Sequence, residues 1–89
     1  MQSKNKRPMT AAERRHVGLV KELRCSVCDA SGGSECHEIK QGQWFTSVAL
    51  CAECHRDGIM GLHGQKRAWI IRKMDELDAL AVTIERLLA

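Results

Sequence analysis

Apolar positions recur differently in three stretches of this 89-residue chain. In the first, Val17, Leu19, Val20 and Leu23 follow Thr10-Ala11-Ala12-Glu13, a pattern in which the threonine hydroxyl takes a backbone N–H and the glutamate reaches back. It predicts a helix over about 11–23, within the segment 10–24, with Arg14, Arg15 and Lys21 left to face solvent or phosphate. Residues 1–9 have no periodicity, are basic and hold the only proline, Pro8, so they read as a flexible arm ahead of a single domain over 10–89.

The middle stretch, 25–64, is cut by Gly32, Gly33, Gly42, Gly58, Gly61 and Gly64. Two pieces read as strands, 36–39 and 45–50, with Gly42 in the loop between them, which predicts a β-hairpin followed by a short helix near Ala52. From Gln65 onward neither Gly nor Pro occurs, and Ile70, Met74, Leu77, Ala81, Ile84 and Leu88 recur at steps of four and three. That spacing predicts one long amphipathic helix over 65–89, widened by Leu80 and Leu87. Its stripe has two readings: packing on the chain's own core, or pairing with a second copy as a homodimer.

Composition makes the core thin. The 44% hydrophobic fraction includes five cysteines, and the aromatics are only Trp44, Phe45 and Trp69. A chain this short usually needs a staple. Because aromatics are scarce, core packing is the favoured reading of Trp44 and Phe45, with stacking on a nucleic-acid base as the other. No apolar run approaches the 18 or so residues of a membrane span, and the opening MQSKNKRPM lacks the apolar stretch of a secretory signal. The expectation is a cytoplasmic protein with no membrane partner, in which thiols bind metal rather than form disulfides.

Cys25-Ser26-Val27-Cys28 and Cys51-Ala52-Glu53-Cys54 are two C-x-x-C pairs 22 residues apart. Each pair can form a knuckle that presents two thiolates, and two knuckles complete a closed tetrahedral Zn²⁺ site. A closed site does no chemistry but contributes on the order of 10 kcal/mol to folding. His37, His55 and His63, with Glu38, are not needed for that site and read as a second polar centre. Cys36 and His16 have no assigned task.

The order of parts from Cys25 to Gly64 resembles the zinc-knuckle branch of the HNH, or His-Me finger, endonucleases. The resemblance rests on Cys36-His37-Glu38-Ile39, Leu50-Cys51-Ala52-Glu53-Cys54-His55-Arg56 and Leu62-His63-Gly64, which look most like phage-encoded members related to the recombination-enhancement nuclease. It implies an α+β fold: a small zinc-stapled ββα-metal (HNH, treble-clef-like) core between an N-terminal and a long C-terminal helix. It further implies hydrolysis of DNA phosphodiester bonds with a catalytic divalent ion, Mg²⁺ or a transition metal. His55 matches the final HNH histidine as a metal ligand, and His63 supplies a second imidazole. An ungapped match puts His37 at the ligand position and Glu38 at the general base, whereas a shift of one residue makes His37 the base. The family's middle Asn has no counterpart in Trp44-Phe45-Thr46-Ser47.

Charge fits a polyanionic partner. Residues 1–24 hold seven basic groups against two acidic ones, whereas 25–64 hold two against five. Lys4, Lys6, Arg7, Arg14, Arg15, Lys21 and Arg56 are the expected DNA-phosphate contacts. The alternative is a noncatalytic zinc-stapled DNA-binding or adaptor protein with a degenerate HNH site.

Overall fold

Side-chain capping decides where the first helix starts. Thr10 Oγ1 accepts the Glu13 N–H at 3.0 Å while the Thr10 N–H donates to Glu13 Oε1 at 2.8 Å. In the computed structural model, which describes residues 8–89, the chain then runs through α1 (Ala11–Glu22), β1 (Glu35–Glu38), a 3₁₀ turn (Trp44–Thr46), β2 (Ser47–Leu50), α2 (Ala52–Arg56), α3 (Arg67–Arg72) and α4 (Glu76–Leu88). The described residues thus form a small α+β unit with a two-stranded sheet and four helices. Most of the basic arm, including Lys4, Lys6 and Arg7, lies outside the described residues.

The hairpin is antiparallel, with Glu35 opposite Leu50 and His37 opposite Val48. Glu35 and His37, two residues apart on β1, share one strand face. Every residue of β2 is buried, with α4 on it and α1 against both strands and the 3₁₀ turn. The second strand is shorter than the 45–50 expected. Residues 44–46 instead close a turn, held by Ser47 Oγ donating to the Trp44 carbonyl at 2.7 Å and Thr46 Oγ1 to that of Gln43 at 3.2 Å. This turn leaves Phe45 52% exposed, edge-on to His16, so Phe45 is not a core residue. The core aromatic is Trp69, whose Nε1–H donates to the Cys54 carbonyl at 2.8 Å.

The single helix expected over 65–89 is two helices. Lys73 adopts the left-handed conformation (φ 55°) and ends α3. Asp75 and Asp78 then form a reciprocal capping box, each carboxylate accepting the other's backbone N–H at 2.9 Å. Short acidic side chains that satisfy local N–H groups start a new helix here rather than propagate the old one.

Of the two readings of the stripe, core packing fails at three positions: Ile70, Leu77 and Leu88 are 64%, 68% and 81% exposed, while Ala79 and Thr83 are fully buried. Small side chains let α4 lie close on β2. The Thr83 hydroxyl donates to the Ala79 carbonyl at 3.0 Å, accepts the Ala49 N–H at 3.2 Å and pairs with Ser26 Oγ at 2.7 Å. No helix among the described residues is long and apolar enough to cross a membrane.

Candidate metal centres

The two knuckles meet. The Sγ atoms of Cys25, Cys28, Cys51 and Cys54 all lie within 4.8 Å of one another, and those of Cys28 and Cys51 are 3.6 Å apart. A Zn–S bond of about 2.3 Å in a tetrahedron requires sulfurs about 3.8 Å apart, so the spacing suits the ion. Backbone donors already point at sulfur: the Val27 N–H reaches Cys25 Sγ at 3.5 Å, and Cys51, the N-cap of α2, accepts the Cys54 N–H at 3.4 Å.

Ionisation has the same logic. Burial opposes charge on Cys25, but the N–H groups of Cys28, Cys51 and Val27 outweigh it and bring that thiol down to about 7. Burial and then the charge of Cys25 push the Cys54 thiol up, and burial raises Cys51 as well. One thiolate is favoured and its neighbours resist a second negative charge, which is the electrostatics of a site that takes a cation. The four cysteines therefore form a candidate structural metal site.

The C-terminal helices hold this site closed. Arg72 Nη1 donates to the Val27 carbonyl at 3.0 Å, and Arg86 reaches the Cys25 carbonyl at 3.2 Å and Asp29 Oδ1 at 2.7 Å.

A second cluster lies where β1, α2 and the following loop converge. His37, His55 and His63 each offer one ring nitrogen within 4.8 Å of the other two, and their ring centroids are 4.9–5.3 Å apart. His37 comes from β1 and is buried, His55 from α2 is half-buried, and His63 is exposed. His63 arrives by tight backbone folding. The N–H groups of Leu62 and His63 donate to the carbonyls of Cys54 and His55 at 2.8 and 3.3 Å, and Asp57 Oδ2 accepts the N–H groups of Ile59 and Met60. Two glycines are obligatory in this loop: a Cβ on Gly61 would meet Asp57 N at 2.7 Å, and one on Gly64 would collide with the Gly58 carbonyl.

The triad opens into a 290 Å³ cavity lined by Cys36, His37, Glu38, Gln41, His55 and His63. Two carboxylates stand behind it. Glu35 Oε1 accepts from His55 Nδ1 at 2.8 Å, and Glu76 Oε2 lies 2.6 Å from His37 Nε2. Glu35 is itself gripped by Arg56 through contacts of 2.6–2.9 Å, and Arg56 followed by His55 holds its carboxyl down to about 2. Imidazole ligands backed by carboxylates are the usual outer partnership of a bound metal.

Both ligand sets come together. Glu38 lines the cavity but is not among the clustered donors, and its Oε1 accepts the Gly42 N–H at 2.6 Å. Among the expected phosphate contacts Arg14, Arg15 and Lys21 are exposed on α1, whereas Arg56 is engaged by Glu35. Cys36 borders the cavity, and burial pushes its thiol up. Glu35 and Glu76 escaped the sequence reading. Glu35 sits two residues before His37 on the same strand face, a readable signal, whereas Glu76 is 39 residues away and leaves none. No protein-family model matches the chain, and neither does any curated protein or solved structure.

Proposed function

We propose that the protein is a metal-dependent DNA endonuclease with an HNH-like site, in which the cysteine cluster is structural and the imidazole triad holds the working ion. The observation that carries this reading is the convergence of His37, His55 and His63 at the mouth of an open cavity, two of them backed by carboxylates. The order hairpin, second knuckle, α2 with His55, then His63 is consistent with it. Three imidazole nitrogens favour a borderline transition metal over Mg²⁺, which prefers oxygen donors and retained water. His37, His55 and His63 would hold a divalent ion, which when bound would supply positive charge against that developing on the phosphate and on the departing oxygen.

The chain's own groups then have distinct tasks. With His37 in the ligand set, Glu38 is the base: Gly42 holds one of its oxygens, and the other takes the proton of the attacking water. The water oxygen forms the new P–O bond, and the P–O bond to the leaving sugar oxygen breaks. Arg14, Arg15 and Lys21, exposed on the helix that packs against β1, bind backbone phosphates without reading bases.

Purified protein incubated with supercoiled plasmid and Mn²⁺, Ni²⁺, Zn²⁺ or Mg²⁺ should nick it, and His55→Ala should not. No nicking above the His55→Ala control under any of these metals would end the catalytic reading. It would leave the noncatalytic DNA-binding one, which draws support from the bond that ties Glu38 to the hairpin loop and from the missing Asn.

A further inference from the structure

Glu76 lies outside the hairpin, the knuckles and the His63 loop, yet its carboxylate reaches the most buried imidazole of the triad. It is the first residue of α4, and three features fix it there. Lys73 ends α3 in the left-handed region, so the chain changes direction before α4. The Asp75–Asp78 box sets the first turn of α4. Further along, Thr83 bonds to Ala49 on β2 and to Ser26 in the first knuckle, and Arg86 bonds to Cys25 and Asp29. The helix is therefore anchored on β2 and on the cysteine cluster, with the Glu76 side chain of its first turn reaching His37 of β1.

We propose that Glu76 is a positioning residue for the imidazole site: by accepting the Nε2–H of His37 it fixes the ring's orientation and leaves the metal-binding lone pair on Nδ1. Glu35 does the complementary thing to His55. It takes the Nδ1–H and leaves the lone pair on Nε2. The two imidazoles are thus set in opposite tautomers by two carboxylates, one local to the hairpin and one carried by the C-terminal helix. Because α4 also touches the first knuckle, the same helix joins the structural cluster to the imidazole cluster. This inference rests on the reading that the triad binds a divalent ion, but its first test does not require metal.

Long-range ¹H–¹⁵N NMR of the zinc-loaded protein, kept without a second ion, reports the imidazole tautomers. His37 should be the Nε2–H form and His55 the Nδ1–H form. In Glu76→Ala the His37 signals should move to a mixture of tautomers while those of His55 stay unchanged. In the second test, Co²⁺ is titrated and followed by its visible absorption. Loss of the outer carboxylate should weaken Co²⁺ binding by about 10- to 100-fold in Glu76→Ala, and less in Glu76→Gln, which keeps an acceptor oxygen. The midpoint of thermal unfolding should stay within a few degrees.

An unchanged His37 tautomer in Glu76→Ala, or Co²⁺ affinity equal to wild type, overturns the proposal while leaving the metal reading of the triad standing. Wild-type protein that takes up no Co²⁺ beyond the cysteine site overturns that metal reading instead. If Glu76→Ala does not fold, Glu76→Leu, which fills the space but has no acceptor oxygen, carries both measurements.

Discussion

The two donor clusters share α2, which carries Cys54 and His55 as neighbours, yet they are built to opposite specifications. The cysteine cluster joins two local knuckles, is bonded by Arg72 of α3 and Arg86 of α4, and offers four sulfurs, two of them buried and two half-buried. The imidazole cluster draws on a strand, a helix and a loop, grades from buried His37 to exposed His63, and faces a cavity. Closure suits an ion that replaces missing core, and openness suits an ion that meets a substrate. Burial and ligand count, more than the presence of metal-binding residues, are what distinguish the candidate structural centre from the one proposed to work on a substrate.

The sharpest way to break this contrast is to remove one thiolate. Cys54→Ser, or a strong chelator, should unfold the chain, because a contribution on the order of 10 kcal/mol is comparable to the whole stability of a domain this size. Far-UV circular dichroism is the check, and a cooperatively folded, metal-free protein would refute the structural role.

The matching change at the other cluster should be nearly silent for folding. His63→Ala removes an exposed side chain, so the melting point should move by only a few degrees. The second ion should be lost, however, and nicking should fall by about 10³-fold, as loss of several kcal/mol of charge stabilisation implies.

A change between these extremes tests how the loop delivers His63. Gly64→Ala forces a Cβ against the Gly58 carbonyl, and the backbone must shift at a cost of about 1–3 kcal/mol. Weaker binding of the second ion with the cysteine site intact is the expected outcome. Unchanged affinity would mean that the loop geometry does not matter.

The smallest effect comes from acid. The Glu35 carboxyl, bridged to Arg56 and His55, is held at about 2 against an ordinary 4.5. A depressed carboxyl contributes stability that is present above about 4.5 and is lost as pH falls from there toward 2. Arg56→Ala should reduce that pH dependence, measured as the difference in unfolding midpoint between pH 5 and pH 3.

The parts legible in the sequence were those whose information is local. Two C-x-x-C pairs, a capping box at Thr10 and a glycine-marked hairpin each sit within a few residues, and each forms as expected. The parts that were not legible depend on distant partners or on close packing. Periodicity weighs large apolar residues, so it selected Ile70, Leu77 and Leu88, whereas the sheet took Ala79 and Thr83 because small side chains allow close approach. The helix break at Lys73 had a local signal in Asp75 and Asp78, outweighed by the apolar stripe running through it. Glu76 could not be read at all, since its contact with His37 exists only once α4 is packed on β2.

One chain is proposed to hold two divalent ions with separate duties. A graded chelator titration of the fully loaded protein, followed by metal content, circular dichroism and plasmid nicking on the same samples, tests it most directly. The account predicts two steps: one ion leaves with nicking lost and the fold intact, then the second leaves as the chain unfolds. A single bound ion per chain, or loss of nicking and structure in one step, would contradict it.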